Sequence, residues 1–382
     1  MQNTLELNHL PVLTWNKLKM NSGKLTGADA LFAAAAEPEE TLSDLPQGVS
    51  CRSVSREAAA RLLAAAPKQE AERVVAGKVP AYHPQTFATG LGQEYDERLA
   101  SVCSRVRLME VGAGVSIEEP VFWSMGFPDG KHAVTEQMIH VGAGASLTLI
   151  MDFRSGPAAS GFAGVSTKII LEKEAKLNLS RVQMLGGGFV HADDLGVSLA
   201  ERSALTLNQM ELGGQKSFVG AQAEMIGNES AFCVRACYLT LGGEEADMNY
   251  NAVQRGRKTD CRMSFDGVLG GRAKKTLRGT IDFRGGSAGS VGDEQENVLL
   301  LSNDIENKSI PMILCEEEDV EGRHGATIGR LDEGLLFYLG TRGIDARAAQ
   351  EMMVYARLGT VAREIHGEEL QRQINDYIRS RL

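Results

Sequence analysis

Between about residues 112 and 234 the chain repeats itself. GAGVSI at 112–117 is matched by GAGASL at 142–147, then by KEAKL at 173–177, RSAL at 202–205 and NESAF at 228–232. Each run closes on an apolar residue, Ile117, Leu147, Leu177, Leu205 and Phe232, at separations of 30, 30, 28 and 27. From the second run onward another apolar residue follows two positions later: Leu149, Leu179, Leu207 and Val234. Apolar positions two apart place side chains on one face of a strand. A strand unit that recurs near every 30 residues predicts coils stacked about 4.8 Å apart in a solenoid. The period is too long for a hexapeptide β-helix and too rich in strand for ankyrin or tetratricopeptide repeats. The pattern therefore predicts a mainly β protein built on a right-handed parallel β-helix. Its core is placed at residues 86–315, with the clearest coils between about 91 and 283. A β-sandwich with recurring hairpins is the competing reading of the same alternation.

The flanks have a different texture. Residues 1–85 read as a helical region, because 33–36, 56–66 and 71–75 are rich in strong helix formers and Ser55 is placed to cap a helix beginning at Arg56. Pro67 ends that helix, and Pro80 and Pro84 mark a linker. After the core, residues 299–302 and 310–315 read as last strands, followed by an acidic, glycine-containing loop. Helices are expected at 331–339, 346–358 and 370–378, with Leu370, Ile374, Tyr377 and Ile378 on one face. Residues 316–382 thus form a C-terminal loop and helical domain.

Composition sharpens this picture in two places. Forty-two glycines and only 5% aromatic residues fit a turn-rich repetitive β fold better than a deep globular core. The formal charge is −10, and no block of Lys and Arg stands out, which argues against a nucleic-acid partner. The first 20 residues contain no apolar signal core, and no uncharged stretch approaches the roughly 20 residues that span a bilayer. A cytoplasmic protein with six free thiols (Cys51, Cys103, Cys233, Cys237, Cys261, Cys315) is expected.

Candidate chemistry is sparse. GGSAG at 285–289 matches a nucleophile-elbow pattern, yet its glycine- and serine-rich surroundings predict a plain loop rather than strand, turn and helix. The stretch 267–276 lacks the G-K-[ST] ending of a phosphate loop, so if ATP powers this protein's work another chain has to supply the site. Cys233 and Cys237 are four residues apart, about 13 Å on a strand, too far to share one metal ion. They and Cys261 read as small buried hydrophobes. Cys315 and His324 place a soft thiolate and an imidazole in one short segment, a combination suited to iron or zinc. Two donors do not complete a four-coordinate site.

The C-terminal third carries an ordered set of motifs. F-x-G at 265–267, AKKT at 273–276, N-x-LLLS at 297–302, Pro311, Asp319 and Val320, HGAT at 324–327, LDE-x-x-LFYL at 331–339 and RGI at 342–344 follow one another. This set resembles the SufB/SufD family of iron–sulfur cluster assembly proteins, and LPV-x-TW at 10–15 is compatible with it. The resemblance implies an assembly subunit rather than an enzyme. Its expected partners are a SufC-like ATPase, a SufB-like paralogue and a desulfurase system that donates sulfur. It also implies a transient iron–sulfur cluster at the subunit interface, and an ATPase-docking C-terminal domain with Leu335, Phe337, Tyr338 and Leu339 as contact candidates. The segment 319–327 resembles the SufD branch, and His324 is the ligand carried over. Gly322 stands where that branch has its signature Cys, and Glu296 stands near the scaffold Cys of the SufB branch. Cys315 is a substitute donor only if the chain brings it beside His324. A structural partner without cluster ligands and a β-helical carbohydrate-active enzyme are the competing readings. The residues leave open whether a flavin takes part, and whether the chain forms a homodimer when its partner is absent.

Overall fold

In the computed structural model, which describes residues 3–12, 19–33, 35–66, 87–103 and 105–382, the alternating runs become two nine-stranded sheets. One sheet contains β3 (Glu39–Leu42), β6 (Val121–Gly126), β8 (Ser146–Arg154), β10 (Lys176–Met184), β12 (Ala204–Glu211), β14 (Ala231–Thr240), β16 (Asp260–Leu269), β18 (Ser290–Leu300) and β20 (Val320–Arg330). The facing sheet contains β4 (Val49–Val54), β5 (Val106–Val111), β7 (Lys131–Val141), β9 (Ser160–Leu171), β11 (Gly188–Leu199), β13 (Lys216–Met225), β15 (Glu245–Gln254), β17 (Lys274–Phe283) and β19 (Glu306–Cys315). From β5 onward successive strands alternate between the sheets, and from β7 onward each pairs in parallel with the strand two places earlier, which is a parallel β-helix of eight coils.

The repeat read from the sequence is the register of this helix. Leu147, Leu177, Leu205 and Phe232 are direct partners on successive coils, and so are Leu149, Leu179, Leu207 and Val234. All eight are buried in one continuous core between the sheets. Burial of each such side chain contributes about 1.5–3 kcal/mol.

The N-terminal region is not the helical one expected. A small antiparallel pair, β1 (Thr4–Leu7) with β2 (Gly23–Thr26), precedes α1 (Ala28–Phe32). Strands β3 and β4 then lie antiparallel against β6 and β5 and cover the first coil. Pro38 explains part of this: it disfavours helix at the residue before it, so the Ala-rich run ends with Ala36 bridged to Ala133 instead of extending α1. Helix α2 (Arg56–Ala65) is present, and Ser55 accepts from the Ala58 N–H as its cap. The helix expected at 71–75, Pro67 and the linker prolines lie outside the described residues. Helix α3 (Gln93–Val102) packs Tyr95 and Leu99 onto the outer face of the β5–β19 sheet beside Phe162 and Phe218.

At the other end, the loop expected after Cys315 is largely a strand. Residues 320–330 form β20 and continue the helix by one more half-coil. The three C-terminal helices are α4 (Glu333–Thr341), α5 (Ala346–Ala362) and α6 (Glu368–Arg381), the first two capped by Asp332 and Asp345. Leu370, Ile374 and Ile378 share the buried face of α6 as expected, and with Val354, Leu358 and Val361 of α5 they cover the outer face of the β6–β20 sheet. The Tyr377 hydroxyl donates to the Leu185 carbonyl at 2.5 Å, and Arg381 pairs with Glu244 at 2.7 Å. No helix among the described residues is long and apolar enough to cross a membrane.

Candidate functional site

The inward-facing columns that are apolar through most of the β-helix change character in its last two coils. The column of Leu147, Leu177, Leu205 and Phe232 continues as Cys261, Gly292 and Gly322. The neighbouring column of Leu149, Leu179, Leu207 and Val234 continues as Met263, Glu294 and His324. A carboxyl and an imidazole therefore occupy positions that are leucine farther down. Since no strand among the described residues follows β20 in its sheet, His324 sits on the inward side of the final half-coil and is nevertheless exposed. Glu294, one strand below, is 3% exposed.

Beneath this open end lies a charged cluster inside the β-helix. Lys275 of β17 reaches across to the Glu296 carboxylate and also donates to the Lys308 carbonyl at 3.1 Å and the Ser309 hydroxyl at 3.0 Å. Tyr238 donates to Glu296 at 3.0 Å. Burial raises the Tyr238 hydroxyl well above its ordinary range and lowers Lys275 despite the opposing attraction of Glu296. Glu294 is pushed up to about 8, chiefly by burial, then by the Glu296 charge, with Lys275 opposing. Its Oε2 has no hydrogen-bond partner among the described residues. Its carboxyl lies over Gly279, where an added Cβ would be 2.0 Å from Oε1. Glycine is needed here for close approach rather than for backbone freedom.

Cys315 and His324 are not brought together. Gly322 faces Ile313, since a Cβ at 322 would meet Ile313 at 3.2 Å. The two sheets run in opposite directions across the core, so Cys315 faces Val320, four residues before His324. That offset is about 13 Å along the strand. Cys315 is exposed, and its thiol donates to the Glu317 carbonyl at 3.0 Å. Among the described residues no group of three or more His, Cys, Asp or Glu is arranged to hold a metal ion. A cysteine at 322 would point inward against Phe283 and Ile313, two residues from His324.

The other sequence candidates resolve simply. GGSAG at 285–289 is a turn between two strands, and its Ser287 is buried. Cys237 and Cys261 are buried, Cys233 is half-buried, and burial raises all three thiols. Helix α4 buries none of its side chains: Phe337 is 76% exposed, Tyr338 53% and Leu335 39%, with Leu339 half-buried.

Sequence reasoning missed the buried polar groups of the interior. Midway along, Arg181 pairs with Asp193; Gln209 donates to Asp193 at 3.1 Å and to Glu211 at 3.0 Å; Tyr250 donates to Gln209 at 3.0 Å. His191 stands 3.4 Å from Glu211. The signal that reveals these residues is the register itself. Arg181 and Gln209 lie two positions beyond Leu179 and Leu207 in the repeat, so they must point inward.

Residues 126–357 match the profile of the SUF system FeS cluster assembly, SufBD core domain. The chain belongs to this family. Two relatives are named iron–sulfur cluster assembly protein SufD. The one from Escherichia coli K12 is 26% identical over 242 residues, covering 63% of this chain and 56% of the relative. The one from Bacillus subtilis 168 is 26% identical over 138 residues, covering 36% of this chain and 32% of the relative. A chloroplastic SufBD family protein of Arabidopsis thaliana, ABCI8, is 22% identical over 169 residues, or 44% of this chain and 30% of that protein. The matches thus span about half, or less, of the relatives' own lengths. By these likenesses the chain is SufD-like. Family members are assembly components rather than classical enzymes.

Proposed function

We propose that this chain is a cytoplasmic subunit of a SufBCD-type complex, with no turnover of its own. Its open β-helix end faces a SufB-like partner, and the cluster under construction is the cargo held between them. The observation that carries this reading is the unpaired last coil, whose inward side exposes His324, Ala326 and Ile328 at a bare sheet edge. An edge strand with free N–H and C=O groups is a template for pairing with another chain. In this reading His324 gives its imidazole to the cluster or to its iron. The exposed apolar side of α4, with Leu335, Phe337, Tyr338 and Leu339, docks a SufC-like ATPase. Sulfur arrives from a desulfurase system. Cys315 is too far along the strand to share an iron with His324.

The test is co-expression with a SufB-like chain and a SufC-like ATPase, anaerobic purification and visible absorption spectroscopy. We expect a stable complex with cluster absorbance that falls in His324→Ala and persists in Cys315→Ala. A stable complex whose absorbance is unchanged by His324→Ala would leave this chain a structural partner.

A further inference from the structure

We infer that Glu294 is a second iron donor of this chain, acting with His324 from the coil beneath it. The inference rests on the reading of His324 just given and adds a residue that neither the motif set nor the resemblance assigns. Glu294 and His324 are direct register partners on adjacent parallel strands, so their Cα atoms lie about 4.8 Å apart with both side chains on the inward face. Glu294 is nine-tenths buried and one of its oxygens is unpartnered, whereas Oε1 of the adjacent Glu296 accepts from both Lys275 and Tyr238. A buried unpaired oxygen calls for an absent partner. Gly279 makes room for this carboxyl, because any larger residue would drive its Cβ into it.

The donor chemistry fits ferrous iron. Carboxylate and imidazole together suit this metal, and one of each leaves the remaining positions to sulfide or to donors from outside this chain. That arrangement agrees with the lack of any three-residue metal cluster among the described residues. It also gives this chain a second ligand where Gly322 has removed the family's thiol.

The experiment titrates the full chain with Co²⁺ under argon, as a spectroscopic substitute for Fe²⁺, and follows the ligand-field bands and the His324 ring resonances by NMR. Wild type is expected to show both changes saturating together. Glu294→Gln, an isostere that keeps the fold, is expected to weaken binding at least tenfold, and Glu294→Asp less. Gly279→Ala retains both donors but displaces the carboxyl, and is expected to resemble Glu294→Gln. Thermal melts establish that each variant is folded. Co²⁺ binding that is lost in His324→Ala but unchanged in Glu294→Gln overturns this inference and leaves the proposed function standing. Binding unchanged in both variants, or absent in wild type, overturns it as well.

Discussion

The two ends of the β-helix are finished in opposite ways. At the first coil the chain supplies its own lid: β3 and β4 pair antiparallel with β6 and β5, and Leu42, Leu45, Val49 and Cys51 pack over the core. Trp123, Met125 and Met109 beneath them are fully buried. At the last coil, among the described residues, nothing follows β19 and β20, and Ile328, facing inward, remains 46% exposed. A solenoid has two raw edges, and each invites pairing with another chain. This protein covers its core at one end with the short antiparallel strands β3 and β4 and, among the described residues, ends the other on the long parallel strands β19 and β20. On the proposed function, the difference separates residues that maintain the fold from residues that would face a partner.

The largest expected effect breaks the sealed end. Trp123→Ala removes a fully buried ring and should cost about 3–5 kcal/mol, read from the urea midpoint. His324→Ala, at the open end, should shift stability by no more than about 0.5 kcal/mol. Comparable losses at the two positions would mean that the ends are not so different.

Next, Ile328→Arg places a charge on the open end. It should weaken association with a SufB-like chain at least about tenfold while leaving the melting temperature close to wild type. Sedimentation of the mixed chains measures this. Undiminished association would place the partner elsewhere.

A smaller effect concerns the flank sealed by the N-terminal segment. Asp194 is fully buried beneath it, accepts from the Leu91 N–H at 2.7 Å, and is pushed up to about 8, first by burial. A carboxyl whose folded pKa is raised contributes its stability in full below its unfolded value, about 4. That contribution is lost as pH rises through about 8. Asp194→Asn should therefore flatten the decline in stability between those two values and be the more stable form at pH 9. An unchanged slope in thermal melts across this range would show that Asp194 is ionised in the fold.

The extent to which the sequence foretold this molecule follows the same contrast. The central coils were legible because Leu177, Leu205 and Phe232 recur on a period that becomes register in space. The lid was not, because the Ala-rich run at 33–36 has helical propensity, and only pairing with the first coil makes its neighbours strands. Strand β20 read as a loop for a related reason. It forms the uncovered last half-coil, so its inward positions, Gly322, His324 and Ala326, lack the apolar alternation that marks a strand. His324 was found through its motif. Glu294 was not, since only the register places it under His324 rather than on the surface. The helices α5 and α6 were legible from their apolar spacing, which packing on the sheet requires.

The most direct test of the open-end account is hydrogen exchange along the whole chain, measured with and without a SufB-like partner. The account predicts new protection concentrated in Glu306–Cys315 and Val320–Arg330, with Glu39–Leu42 and Val49–Val54 unchanged. Protection that appears at the sealed end, or anywhere but the last coil, would contradict it.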